Sequence, residues 1–181
     1  MKICYDRLNR RTQLLLGMTL LLNSVWLSAA TAGDKPVDIY NYHQIDERLA
    51  TAGQVTPEQT QWLQSEGVEV VINLAVADEE RNKEEAFHVA GKGITYINIP
   101  VDWNNPTSED LAMFYSVMDA SRDRKTLVHC FANYRASAFT YLWRTARGAD
   151  ADQAAADMAA IWDDDAWEKY PQWQKFVREQ R

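Results

Sequence analysis

The residues best equipped for chemistry fall in one stretch, LVHCFANYRASAFTYLWRTAR, from Leu127 to Arg147. An apolar run ends in His129 and Cys130, four residues follow, and Arg135 and Ser137 open a helical pattern. In a strand–loop–helix of this kind the backbone N–H groups of Phe131, Ala132, Asn133, Tyr134 and the first turn at Ala136 converge on a point. The helix dipole strengthens their pull on an anion. The groups that would hold a phosphate there also favour a thiolate on the loop floor. Arg135 adds a planar fork matched to two phosphate oxygens. Together these residues would place a sulfur nucleophile in line with a phosphorus atom. Taken alone, Cys130 reads more readily as a buried core thiol, since free cysteine is among the most buried residue types.

Such a loop needs a sheet beneath it and a helix behind it. Short apolar runs alternate with helical patterns along the chain, which is the mark of an α/β layer fold. RLATAG, from Arg48 to Gly53, reads as a first strand or edge segment. Thr56, Pro57 and Gln59 supply an N-cap, a proline at the first helical position and a capping-box partner, and Gly67 stops that helix. Val68–Ala75 is a near-continuous apolar strand, as expected where both faces of a sheet are covered. Asp78–Ala90 reads as a charged helix and Ile94–Val101 as a third strand. Thr107 to Asp110 can cap the next helix, whose Leu111, Phe114, Tyr115 and Met118 share a face. Thr126–His129 is the fourth strand and Arg135–Arg147 the helix after it; two further helices follow, broken around Asp163–Asp165 and again near Pro171. The expected fold is α/β and three-layered, a mostly parallel sheet of four to five strands with helices on both faces. Ligands of such sheets sit beyond the carboxyl ends of the strands, here the loops Ala75–Glu80, Asp102–Pro106 and Phe131–Tyr134.

The N-terminus reads as a targeting segment and not as part of the fold. Lys2, Arg7, Arg10 and Arg11 precede the apolar run Leu14–Leu22, and Ala30-Thr31-Ala32 offers small residues for cleavage. Residues 1–32 are therefore expected to be a cleaved signal peptide, 33–42 an extended lead-in, and 43–181 one domain with a C-terminal helical extension. Asn23 and Ser24 interrupt the apolar run short of membrane-spanning length, so no stable span is expected after cleavage. The expected location is outside the cytoplasm, in the periplasm, with secretion to the medium as the alternative. The formal charge of −7 falls to −10 once the basic leader is gone, which argues against nucleic acid or an anionic membrane as the main partner. Cys130 is then the single cysteine left, so no internal disulfide forms. His43, His88 and His129 lack metal-ligand spacing, and neither metal nor cofactor is expected. Oligomeric state is not encoded in any pattern of the chain.

VHCFANYRAS resembles the phosphate-binding loop of the cysteine-dependent protein tyrosine and dual-specificity phosphatases, whose pattern is H-C-x5-R-[S/T]. LATAGQVTPEQTQWLQSEGVEVVINLA and GITYINIPVDW extend the likeness to the small bacterial branch related to the phosphatase-like domain of β-lactamase-hydrolase-like proteins. The likeness spans residues 43 to 147. It implies Cys130 as nucleophile, Arg135 as phosphate ligand, Asp102 as the acid that protonates the leaving oxygen, and Ser137 as an aid to the departing thiolate. His129 would order the loop by hydrogen bonding, and Trp103 and Tyr134 could wall the pocket or merely pack. One departure stands out: the family places arginine six residues after the cysteine, where this chain has Ala136 and carries Arg135 at the fifth. The mid-loop glycine is replaced by Asn133, which tolerates a left-handed backbone. A one-residue step is about 100° of helix rotation, so the reach of Arg135 to the anion is the open question.

Three functions follow. The first is an exported phosphatase acting on a phosphomonoester, a phosphoprotein among the candidates, through a thiophosphate on Cys130. The second is a weak or inactive module that binds phosphate or another oxyanion. The third is thiol redox or sulfur transfer, against which the absence of a resolving cysteine weighs.

Overall fold

The structure is a computed structural model, and it describes residues 38–181. The proposed signal peptide and the start of the lead-in lie outside the described residues. Twelve elements follow in order: β1 (His43–Gln44), β2 (Leu49–Ala52), α1 (Gln59–Ser65), β3 (Val70–Asn73), α2 (Glu85–Gly91), β4 (Thr95–Asn98), α3 (Ser108–Ala120), β5 (Thr126–His129), α4 (Tyr134–Ala146), α5 (Ala151–Ala159), α6 (Asp164–Lys169) and α7 (Pro171–Glu179). The five strands form one sheet in the order β1-β2-β5-β3-β4. All neighbours are parallel except β1, which pairs antiparallel with β2. Register aligns the strand ends, with Ala52 and Asn73 both opposite His129, so the loops after β2, β3 and β5 emerge together.

Side-chain alternation builds the layers. Leu49, Val70, Ile72 and Val128 face a core completed by Phe114, Phe139, Trp173 and Phe176 from the later helices and by Trp162 between α5 and α6. Ala50, Ala52, Val71 and Leu127 face the other way, onto Leu63, Val89 and Ile94. This parity sends His129 to the α2 side of the sheet and Cys130 to the opposite core.

Five segments differ in extent from the sequence reading. The expected helix Asp78–Ala90 is helical only over Glu85–Gly91. Asp78 Oδ1 accepts from the N–H groups of Glu80 (3.0 Å) and Arg81 (2.9 Å), and Asn82 Nδ2 donates to the Val76 carbonyl (2.9 Å). Short polar side chains that bond the nearby backbone compete with helix in this way. α1 begins at Gln59: Gln59 Oε1 does accept from Thr56 N–H (2.9 Å), but Pro57 and Glu58 form a turn ahead of the helix. The lead-in is not extended to its end, since Asn41 turns with φ 49°. β3 and β4 are each four residues, shorter than the apolar runs that announced them. The Thr107 cap forms as read: its Oγ1 accepts from Asp110 N–H, and the Asp110 carboxylate accepts from Thr107 N–H. After α4 the breaks at Asp163 and Pro171 separate three helices.

Candidate active site

At the carboxyl ends of the parallel strands lies a cavity of about 440 Å³ lined by Cys130, Phe131, Ala132, Tyr134, Arg135, Asp102, Trp103, Asn104, Val76, Arg81 and Tyr170. The three loops named from the sequence thus meet at one opening. Cys130 directly follows β5, is buried, and its N–H donates to the Ala52 carbonyl (3.3 Å).

The loop is held from below by the chain's own N-terminal turn. Phe131 and Ala132 give their carbonyls to Gln54 N–H (3.1 Å) and Asn41 Nδ2 (3.1 Å). Gly53 faces Ala132 in a bridge, and its N–H donates to the Tyr40 carbonyl at 2.7 Å. A Cβ at Gly53 would lie 2.7 Å from that carbonyl oxygen and 3.2 Å from the Phe131 oxygen, so only glycine lets the two segments close. Asn133 caps α4 in the left-handed region with φ 69°, as its residue type allows. Its Nδ2 donates to the Asn41 carbonyl (2.7 Å) and Thr51 Oγ1 (3.0 Å), locking that conformation.

Arg135 turns into the cavity. It is 4 % exposed, lines the cavity with Cys130, and sits with its guanidinium carbon 5.2 Å from the Phe131 ring centre and 5.7 Å from that of Trp103. Nη1 donates to the Val101 carbonyl (2.9 Å), tying the arginine to the strand end that carries Asp102, while buried Nε has no partner. A buried, unpartnered guanidinium N–H is costly unless a ligand or water meets it. Asp102 is exposed at the rim, where Oδ1 accepts from Asn104 N–H (2.7 Å) and Asn105 N–H (3.1 Å).

Ser137 stands elsewhere. Its Oγ donates within the first turn of α4, at 2.9 Å from the Asn133 carbonyl and 3.1 Å from that of Tyr134, and it is not among the cavity residues. Ala136 is fully buried behind the loop. His129 also lies outside the cavity, on the α2 side. Its Nε2 approaches Glu85 Oε1 to 2.9 Å without hydrogen-bond alignment. Glu85 Oε2 accepts from Gln54 Nε2 (3.0 Å), Asn73 Nδ2 (3.1 Å) and Tyr96 OH (3.5 Å), so one buried carboxylate gathers side chains from the segment after β2, from β3 and from β4. Burial, with the Glu85 charge next in weight, pushes the Tyr96 hydroxyl up to about 12.

Trp103 and Tyr134 both wall the cavity and pack beyond it. Trp173 Nε1 donates to the Trp103 carbonyl (2.9 Å) and Trp162 Nε1 to the Tyr134 carbonyl (2.9 Å). Their rings join Tyr170, Trp162 and Trp173 in one cluster, with Trp103 and Tyr170 centroids 4.8 Å apart.

Comparison with known proteins agrees with this geometry. A family model described as a DSP-PTPase phosphatase fused to NAD+ kinase matches residues 31–176. The chain belongs to this DSP-PTPase family. A DUF442 protein from Shewanella putrefaciens CN-32, provisionally named a phosphatase, is 35% identical with a TM-score of 0.69, over 78% of this chain and 89% of that one. Two further structures share the fold. A Cys→Ser variant of P. aeruginosa TpbA in complex with phosphotyrosine is 17% identical with a TM-score of 0.62, over 83% of this chain and 91% of that one. The PP-IP phosphatase SIW14 of S. cerevisiae, in complex with citrate, is 13% identical with a TM-score of 0.65, over 80% and 87%. No curated protein matches the chain. Membership in the DSP-PTPase family is consistent with a phosphoric monoester hydrolase.

Several residues that line or support this cavity carry little or no signal in the sequence. Arg81 follows directly on the loop Ala75–Glu80 that the strand-end rule had placed at the opening, so position was its signal. Tyr170, Trp162, Trp173 and Glu85 carry no local signature; they arrive through packing alone.

Proposed function

We propose that this protein is an exported, cysteine-dependent phosphatase that hydrolyses a phosphomonoester through a thiophosphate on Cys130. The observation that carries the reading is Arg135: buried in the same cavity as Cys130, with Nε unpartnered. Cys130 Sγ would attack phosphorus while the bond to the leaving oxygen breaks and the Asp102 carboxyl gives that oxygen its proton. Water would then attack the same phosphorus, Asp102 taking its proton, and the P–S bond would break to return the thiolate and release phosphate. The loop N–H groups and Arg135 hold the equatorial oxygens through both steps. Ser137 serves here by fixing the first turn of α4. The basic and apolar leader supports export to the periplasm, tested by fusing residues 1–40 to a reporter active only outside the cytoplasm.

Aryl-phosphate hydrolysis by the purified protein tests the chemistry. Wild type should turn over, vanadate should inhibit, Cys130→Ser should abolish turnover while still binding oxyanion, and Asp102→Asn should lower kcat. A second reading, an oxyanion-binding module without turnover, is favoured by the tie of Arg135 Nη1 to Val101, which leaves less of the fork for phosphate. Vanadate binding with no Cys130-dependent hydrolysis would select it.

A further inference from the structure

Of the three charged residues that line the cavity, Asp102, Arg135 and Arg81, the proposed chemistry uses the first two and not Arg81. Its guanidinium carbon sits 3.6 Å from the Phe131 ring centre, the ring directly after Cys130. Nε and Nη2 donate to Asp78 Oδ2 at 3.0 and 2.6 Å. The turn that Asp78 closes needs only the backbone N–H groups of Glu80 and Arg81, so nothing in its local structure demands an arginine side chain. The carboxylate and the ring fix the guanidinium plane, and the Nη1 edge is left without a partner among the described residues. Hydrogen bonding from Arg81 holds the Asp78 carboxyl down at about 2, which keeps this clamp ionised at working pH.

Arg135 stands over the same ring at 5.2 Å, so the two guanidinium carbons are about 9 Å apart at most. One is buried beside the nucleophile and the other is half exposed at the mouth. Resting on the phosphatase reading, we propose that Arg81 is a specificity residue, and that the preferred substrate is a phosphomonoester carrying a second anionic group within about 9 Å of the phosphoryl group, bound at Arg81. Pre-orientation by Asp78 and Phe131 lets Arg81 bind that group with little loss of side-chain freedom. Asp78 balances the Arg81 charge, so what Arg81 offers a second anionic group is the directed donors of its Nη1 edge.

The test compares kcat/KM for a phosphotyrosine peptide with a glutamate beside the phosphorylated residue against the same peptide with glutamine there. A sugar bisphosphate against its monophosphate is a second arm, which separates a peptide source from a small-molecule source. Wild type should prefer the doubly anionic member of at least one pair by about tenfold. Arg81→Ala should erase that ratio, and Arg81→Lys should retain part of it. No preference in wild type in either arm, or a ratio unchanged in Arg81→Ala, overturns the inference. If no substrate is turned over, the phosphatase reading fails by itself. The same pairs are then titrated against Cys130→Ser and Cys130→Ser/Arg81→Ala: a binding preference lost with Arg81 upholds the subsite, and equal binding overturns it.

Discussion

At the residue scale, the fifth-position arginine is the feature to test. Arg135 offers a fork of which Nη1 is tied to Val101 and Nε is free. Lysine keeps the charge but cannot span both partners, so Arg135→Lys should lower kcat/KM for an aryl phosphate by about 10²-fold, close to the loss from removing one preorganised oxyanion donor. Steady-state kinetics beside a near-UV spectrum would separate this from misfolding. Gly53 makes an opposite kind of prediction. Its alanine variant must displace either the Tyr40 turn or the Phe131 carbonyl, so Gly53→Ala should impair catalysis and lower the urea midpoint although it touches no substrate.

At the scale of elements, α2 and α5 act as clamps. Glu85, from α2, collects donors from Gln54, Asn73 and Tyr96. Glu85→Ala would strand these buried groups, and a loss of about 3 kcal/mol by urea denaturation is expected. Asp157, from α5, meets Arg144 of α4 at 2.6 Å and His43 of β1 at 3.0 Å. Burial raises the Asp157 carboxyl, but the hydrogen bonds from His43 and Arg144 outweigh it and hold it below its ordinary 3.8. A value depressed in the folded state gives stability that is complete above about 3.8 and lost as pH falls through the folded value. Wild type should therefore exceed Asp157→Asn in urea midpoint at pH 7, and the gap should close on acidification below pH 3.8.

At the scale of the molecule, the C-terminal helices are part of the site. Trp173 is fully buried, and its Nε1 donates to the carbonyl of Trp103, the neighbour of Asp102. Trp173→Phe keeps most of the packing and deletes that donor, so it should cost about 1–3 kcal/mol and lower kcat several-fold. Urea denaturation and aryl-phosphate kinetics would read the two effects. Net charge acts at longer range. A chain at −7 repels an anionic substrate before the local arginines take hold, so kcat/KM should rise as salt screens the approach, and a fall would show that Arg81 and Arg135 dominate the field.

The sequence by itself determined the α/β layering, the parallel strands and the strand–cysteine–loop–helix, because each rests on periodicity or on residues adjacent in the chain. It also marked Asn133 as a residue that tolerates a left-handed backbone, and Thr107 as the helix start. Local competition blurred the rest: Asp78 and Asn82 turned half of an expected helix into a loop. Tertiary structure alone decided that Arg135 points inward, because its direction depends on Val101, Phe131 and Trp103 closing around it. It alone moved Ser137 out of the cavity and His129 to the other face of the sheet. Arg81 joined the cavity, and Glu85 and Trp173 the packing that supports it, from distant stretches, since burial and hydrogen-bond satisfaction are settled by what packs nearby in space.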